Sequence, residues 1–147
     1  FNARQNNIRV MNLSLSTNST QSWEVDPLCM AVRSAVAAGI TVVVAAGNYG
    51  RLADGREAHG TIASPGNDPS VITVGAANFR GTLARGDDIM TTFSSRGPTR
   101  GSVTVNGVRR IDNLLKPDLV APGNLVISAG ATLGDGRMIW NQIANSN

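Results

Sequence analysis

The sequence predicts an α/β fold with a mostly parallel sheet and helices packed on it. Two patterns carry that reading: a strand, a helix and a second strand follow one another in the first third of the chain, and the strand segments are continuous apolar runs of the kind covered on both faces. Composition agrees, since 147 residues with 41% apolar and 16% charged side chains are the proportions of one globular domain, not of a disordered segment.

The first strand is expected from about Ile8 to Leu15, where Ile8, Val10, Met11, Leu13 and Leu15 suit burial on both faces. A polar loop, Ser16 to Glu24, follows. Asp26 before Pro27 places a capping side chain ahead of a proline at the first helical position, and Leu28, Ala31, Val32, Ala35 and Val36 recur at helical spacing. Gly39 is expected to end that helix as a left-handed cap. Ile40 to Ala46 is a β-branched, uncharged run that reads as a second strand, ending at Gly47 and Asn48. The two strands should run parallel with a right-handed crossover. Tyr49 to Pro69 reads as loop and Val71 to Ala76 as a third strand. Ser94 to Pro98 is rich in turn residues. Val103 to Arg110 is arranged around Asn106-Gly107, whose two positive φ angles make a type I′ surface hairpin. Leu119 to Ala121, the turn Pro122-Gly123, and Leu125 to Ala129 suggest short strands, and Thr132 to Asn147 carries little pattern.

Thirteen basic and ten acidic residues leave a net charge of +3 without a basic run, which weighs against nucleic acid as a partner. The longest apolar stretch, Ala35 to Gly47, is shorter than the roughly 20 residues of a membrane span, so no membrane partner is expected. One cysteine, Cys29, makes neither an internal disulfide nor a paired-cysteine metal site, and the single histidine excludes a histidine-rich zinc cluster. Cys29 on the expected helix reads as a buried small apolar residue. Phe1 is not a start methionine, so the chain is expected to be processed, truncated or engineered, and targeting is unreadable.

Ligands of an open parallel sheet bind beyond the carboxyl ends of its strands. Ser14, Leu15 and Ser16 close the first strand, and Ala45, Ala46, Gly47 and Asn48 close the second. An asparagine there presents an amide donor of the kind that stabilises a developing oxyanion, or else is a turn residue tolerating positive φ. His59, the only imidazole, stands in a polar loop as a candidate base or a solvated bystander. Ser64, Ser94 and Ser95 are nucleophile candidates only where a base reaches them. Asp54, Glu57, Asp68, Asp87 and Asp88 fall in expected loops without the spacing of a calcium site, and solvated charge is the expectation.

Taken in order, RVMNLSLS at Arg9 to Ser16, VVVAAGNYG at Val42 to Gly50, ASPGNDPSVITVGA at Ala63 to Ala76, TFSSRGP at Thr92 to Pro98 and KPDLVAPG at Lys116 to Gly123 resemble five blocks of the subtilisin-like serine proteases, the subtilases. The resemblance implies a partial subtilisin-like three-layer fold, with residues 1–147 as the middle part of the catalytic domain. It also implies that Ser14 to Ser16 and Ala45 to Gly47 flank a bound peptide and that Asn48 is the oxyanion donor. A cis Ser64–Pro65 bond is expected, and Ser16 and Thr17 stand where many relatives carry glycine. The family's aspartate and histidine motifs precede the RVMNLSLS block, and its Gly-Thr-Ser-Met-Ala serine motif does not occur here. His59-Gly60-Thr61 copies the letters of the histidine motif out of order.

Three readings follow. The first is part of a serine protease with peptide substrates, no cofactor beyond a structural calcium that the resemblance allows, and secretion as the family's usual destination. The second is a stand-alone esterase using His59 with Ser64 or Ser95. The third is a non-catalytic peptide-binding module. An incomplete sheet of this kind is expected to associate with itself or with the rest of its parent domain.

Overall fold

The computed structural model describes residues 2–126, 131–132 and 138–139. Strand β1 (Val10–Leu13), helix α1 (Pro27–Ala37) and strand β2 (Thr41–Ala45) make the expected unit, with β1 and β2 parallel from Val10 opposite Thr41 to Leu13 opposite Val44. Strand β3 (Ile72–Asn78) lies parallel to β2, and the two-residue β4 (Ile89–Met90), which the sequence did not reveal, pairs antiparallel with its far end. Strands β5 (Ser102–Val105) and β6 (Val108–Ile111) form the separate Asn106-Gly107 hairpin, whose turn residues have φ of 52° and 77°. Strand β7 (Leu119–Pro122) returns to the main sheet parallel to β3, completing five strands of which only β4 runs antiparallel. β8 (Ala131–Thr132) and β9 (Met138–Ile139) pair with each other. The expected strand from Leu125 does not form over its described part: Leu125 is exposed with a φ of 52°, and positions 127–130 lie outside the described residues.

Both ends of α1 follow from sequence. The Asp26 carboxylate accepts from the Leu28 amide at 2.9 Å and the Cys29 amide at 3.3 Å, satisfying two donors that have no partner inside the helix. At the other end Gly39 has a φ of 86°; its amide donates to Val36 and that of Ile40 to Ala35, the paired bonds of a Schellman cap. α1 covers one face of the sheet, where Val32 meets Ile40, Val42, Val44 and Val71, with Met11 and Leu13 packed alongside.

Two expectations about burial are corrected. β1 is not covered on both faces: Val10 is 62% exposed and only Met11 and Leu13 reach the core. The strand is the edge of the sheet, and α1 shields a single side of it. Conversely, the second half of the Tyr49 to Pro69 loop is interior, with Ile62 through Asp68 all buried. Its backbone stays satisfied there because it bonds to both neighbouring strand ends, as the site geometry shows.

Candidate active site

Beyond their last paired residues, β1 and β2 continue side by side into Ser14 to Thr17 and Ala46 to Asn48. The dipeptide Ala63-Ser64 lies across both continuations. The Ala63 amide donates to the Ala46 carbonyl at 3.0 Å, while Ser64 exchanges backbone bonds of 3.0 and 2.9 Å with Thr17. The spacing of the two walls is therefore set by backbone hydrogen bonds. The Ser64–Pro65 bond in this bridge is cis, as expected, and so are Gly97–Pro98 and Lys116–Pro117.

Gly47 is buried with a φ of 104°, a conformation L side chains rarely adopt, and a Cβ there would stand 2.9 Å from Ser95 Oγ and 3.0 Å from Ala63 Cβ. Ser95 holds the turn from behind: its amide donates to the Gly47 carbonyl at 2.9 Å and its hydroxyl accepts from the Tyr49 amide at 3.1 Å. With the residues on either side held, Asn48 is turned out and exposed. Arg96 braces the same turn, donating to the carbonyls of Gly50, Thr91, Thr92 and Ser94 and to the Glu57 carboxylate at 3.2 Å. Sequence reasoning missed Arg96 as an organiser; its one signal was a cation inside an otherwise small and polar TFSSRGP segment.

The other wall is anchored through Ser64. This residue is fully buried, and its hydroxyl donates to the Asp26 carboxylate at 2.8 Å. Asp26 thus joins the amino end of α1 to the bridge between the walls. Burial pushes the Asp26 carboxyl up, but the donors around it, the Ser19 and Ser64 side chains and the Cys29 and Leu28 amides, outweigh that and hold it below the ordinary carboxylate value. Behind it, Cys29 is fully buried and its thiol donates to Asn67 Oδ1 at 3.1 Å. Burial, with the Asp26 and Asp68 charges adding, pushes the thiol up to about 12, so it stays protonated near neutral pH.

The structure places Ser14, Leu15, Ser16, Ala45, Ala46, Gly47 and Asn48 at the carboxyl ends of the adjacent parallel strands β1 and β2. Ser14, Leu15, Ser16 and Asn48 are exposed there, whereas Ala46 and Gly47 are buried beneath. It does not bring the other candidates together. His59 is exposed, with Glu57 3.9 Å from its Nε2. Ser64 and Ser95 have no exposed surface, and their hydroxyls are engaged by Asp26 and the Tyr49 amide. Ser94, also buried, accepts from the Ala76 amide at 3.0 Å. Not all the loop carboxylates are solvated: Asp68 is fully buried, with one oxygen accepting from Ser70 and the other 3.4 Å from Arg33 Nε. Asp54 pairs with Arg56, Glu57 with Arg96, and Asp87 accepts from Thr82. Among the described residues no three His, Cys, Asp or Glu side chains gather around a common point.

A model of the subtilase family matches residues 2–145. The chain belongs to the subtilase family. Serine protease AprX of Bacillus subtilis is 43% identical over 123 residues, which are 82% of this subtilase chain and 24% of AprX. A subtilisin-like protease of Coccidioides posadasii is 51% identical over 67 residues, 46% of this chain and 14% of that protein. The chain therefore spans about a quarter or less of these relatives. Among solved structures, a psychrophilic protease covers 97% of the chain with 41% of its own length, at a TM-score of 0.59 and 26% identity. The prenylagaramide maturation protease PagA shares the fold, with a TM-score of 0.56 at 20% identity over 86% of this chain and 36% of its own.

Proposed function

We propose that this chain supplies the substrate walls and the oxyanion donor of a serine endopeptidase, the nucleophile, base and aspartate coming from other parts of the parent polypeptide. The peptide substrate lies between Ser14–Ser16 and Ala45–Gly47, and the Asn48 carboxamide donates its N–H to the oxygen that becomes negative as the scissile carbonyl turns tetrahedral. The observation that carries this reading is the Gly47–Tyr49 turn: Ser95 fastens the residues on both sides of Asn48, leaving its amide turned out at the strand ends. A donor fixed before reaction costs no reorganisation when the charge forms, which is why such a turn suits catalysis.

The test is Asn48→Ala in the full-length parent protein, assayed on a chromogenic peptide. The expected loss is about 10²–10³ in kcat with KM little changed, the known cost of removing a subtilisin oxyanion asparagine. An unchanged kcat overturns the reading. The esterase alternative is tested on the 147-residue chain with small activated esters: hydrolysis lost in His59→Ala and kept in Asn48→Ala supports it. The geometry disfavours it, since Ser64 and Ser95 would have to leave the interior to meet His59. Peptide binding without turnover, insensitive to serine-directed phosphonates in the parent protein, supports the binding-module reading instead.

A further inference from the structure

The hairpin β5–β6 lies outside the strand-end site, yet it is held firmly at its neck and one of its edges has no strand partner among the described residues. Its neck is closed twice, by Thr99 amide to Leu114 carbonyl and Asp112 amide to Gly101 carbonyl, both 2.9 Å. Asp112 then fastens the neck to the loop that follows the Ser14–Ser16 wall, accepting from Ser22 Oγ at 2.5 Å and the Trp23 amide at 3.1 Å. Gly101 packs so closely on the Gln21 carbonyl that a Cβ would collide with it.

Backbone phase decides which groups are free. In an antiparallel pair alternate residues aim their N–H and C=O away from the partner strand. Ser102 does so, and both its groups are taken: its amide donates to Thr20 and its carbonyl accepts from Ser22, both at 3.0 Å. Ser102 is opposite Ile111, and Thr104 is opposite Arg109, so Arg109 and Ile111 aim their backbone groups outward on the β6 side. No described segment pairs with that side. Arg110 on β6 and Arg100 beside the neck are exposed too, and none of Arg100, Arg109 and Arg110 forms an ion pair with a described carboxylate.

We infer that the outer edge of β6 docks an extended acidic peptide as an added strand, with Arg109 and Arg110 on its two faces. Main-chain bonds to Arg109 and Ile111 supply the pairing, and the arginines select for carboxylates. The arginines favour carboxylates, and the hairpin is tied through Ser102 to the Thr20–Ser22 loop that follows the Ser14–Ser16 wall, so the occupant is an acidic stretch of the polypeptide substrate, remote from the bond cut. That assignment of the peptide as substrate rests on the protease reading; its binding does not. A second copy is a poor occupant, since pairing two β6 edges sets arginines against arginines.

The test is fluorescence anisotropy of the 147-residue chain with a labelled peptide of alternating Asp or Glu and Val, against its Lys-substituted counterpart. The acidic peptide is expected to bind, more weakly as salt rises, and the Lys peptide not to bind. Arg109→Glu with Arg110→Glu should weaken binding about tenfold. Ile111→Pro, which removes an outward amide without touching the hairpin ladder, should weaken it as well; a peptide N-methylated at alternate residues makes the same test without altering the fold. Equal binding of both peptides, no binding of the acidic one, or binding indifferent to the arginine reversal overturns the inference. So does self-association of the chain that Ile111→Pro abolishes, which would make a second copy the occupant of the β6 edge. Loss of kcat in Asn48→Ala with no acidic-peptide binding sinks the docking edge alone; binding with unchanged kcat sinks the protease reading alone.

Discussion

Gly47, Asp26 and Cys29 show how single residues act through backbone geometry and charge in this chain. Gly47→Ala forces a Cβ into a φ of 104° and against Ser95, so it should cost at least about 1–2 kcal/mol and lower the thermal midpoint. On the protease reading proposed above, it should also reduce kcat of the full-length parent, because relieving the strain moves Asn48. Asp26→Ala removes a helix cap and leaves the Ser64 hydroxyl buried without its acceptor, together about 2–4 kcal/mol by chemical denaturation. The carboxyl of Asp26 is held below its ordinary 3.8. The unfolded chain therefore takes up this proton at higher pH than the folded one, and the stabilisation is present above about pH 4 and lost as pH falls through the folded value. Asp118 behaves alike: burial raises its pKa, but bonds from Lys116 and Thr73 bring it below 3.8. Acid titration of the folded signal should show this fall, and Asp26→Asn should lose its share of the pH dependence. Cys29, with a thiol raised to about 12, should not react with a disulfide reagent at neutral pH until denaturant is added.

At the scale of elements, α1 and the hairpin were legible because their signals are local. Asp26-Pro27 and Gly39 fix where a helix starts and stops by satisfying its own end groups, and Asn106-Gly107 fixes a turn by its φ angles. Nothing lies within 4 Å of a Cβ placed on Gly39, so Gly39→Ala should cost about 1 kcal/mol through backbone conformation alone, and Gly39→Asn less. Thermal unfolding of the two variants separates them. Strand burial was less legible. β1 and β2 have similar apolar runs, yet Val10 is mostly exposed and Val42 and Val44 are buried, because Val10 shares its sheet face with the exposed Thr41 while Val42 and Val44 lie on the face that α1 covers. β4 escaped notice because two residues carry no period.

For the whole molecule, the exposed apolar side chains Ile8, Val10, Leu119 and Val120 leave the sheet incompletely covered. The isolated chain is accordingly expected to associate as concentration rises, and a monodisperse monomer by light scattering contradicts this. The five blocks that resemble subtilases did more than local propensity could, since their order along the chain is a record of topology. By itself the sequence determined the family, the parallel strand–helix–strand unit, the cap residues and the place of Asn48 at a strand end. Only tertiary structure decided which serines have surface, that Asp68 is interior, that Arg96 and Ser95 brace the Asn48 turn, and which hairpin edge is paired with the Thr20–Ser22 loop. The physical reason is range: caps and turns are settled by neighbours a few residues away, whereas burial and hydrogen-bond partners are settled by segments that meet only after folding.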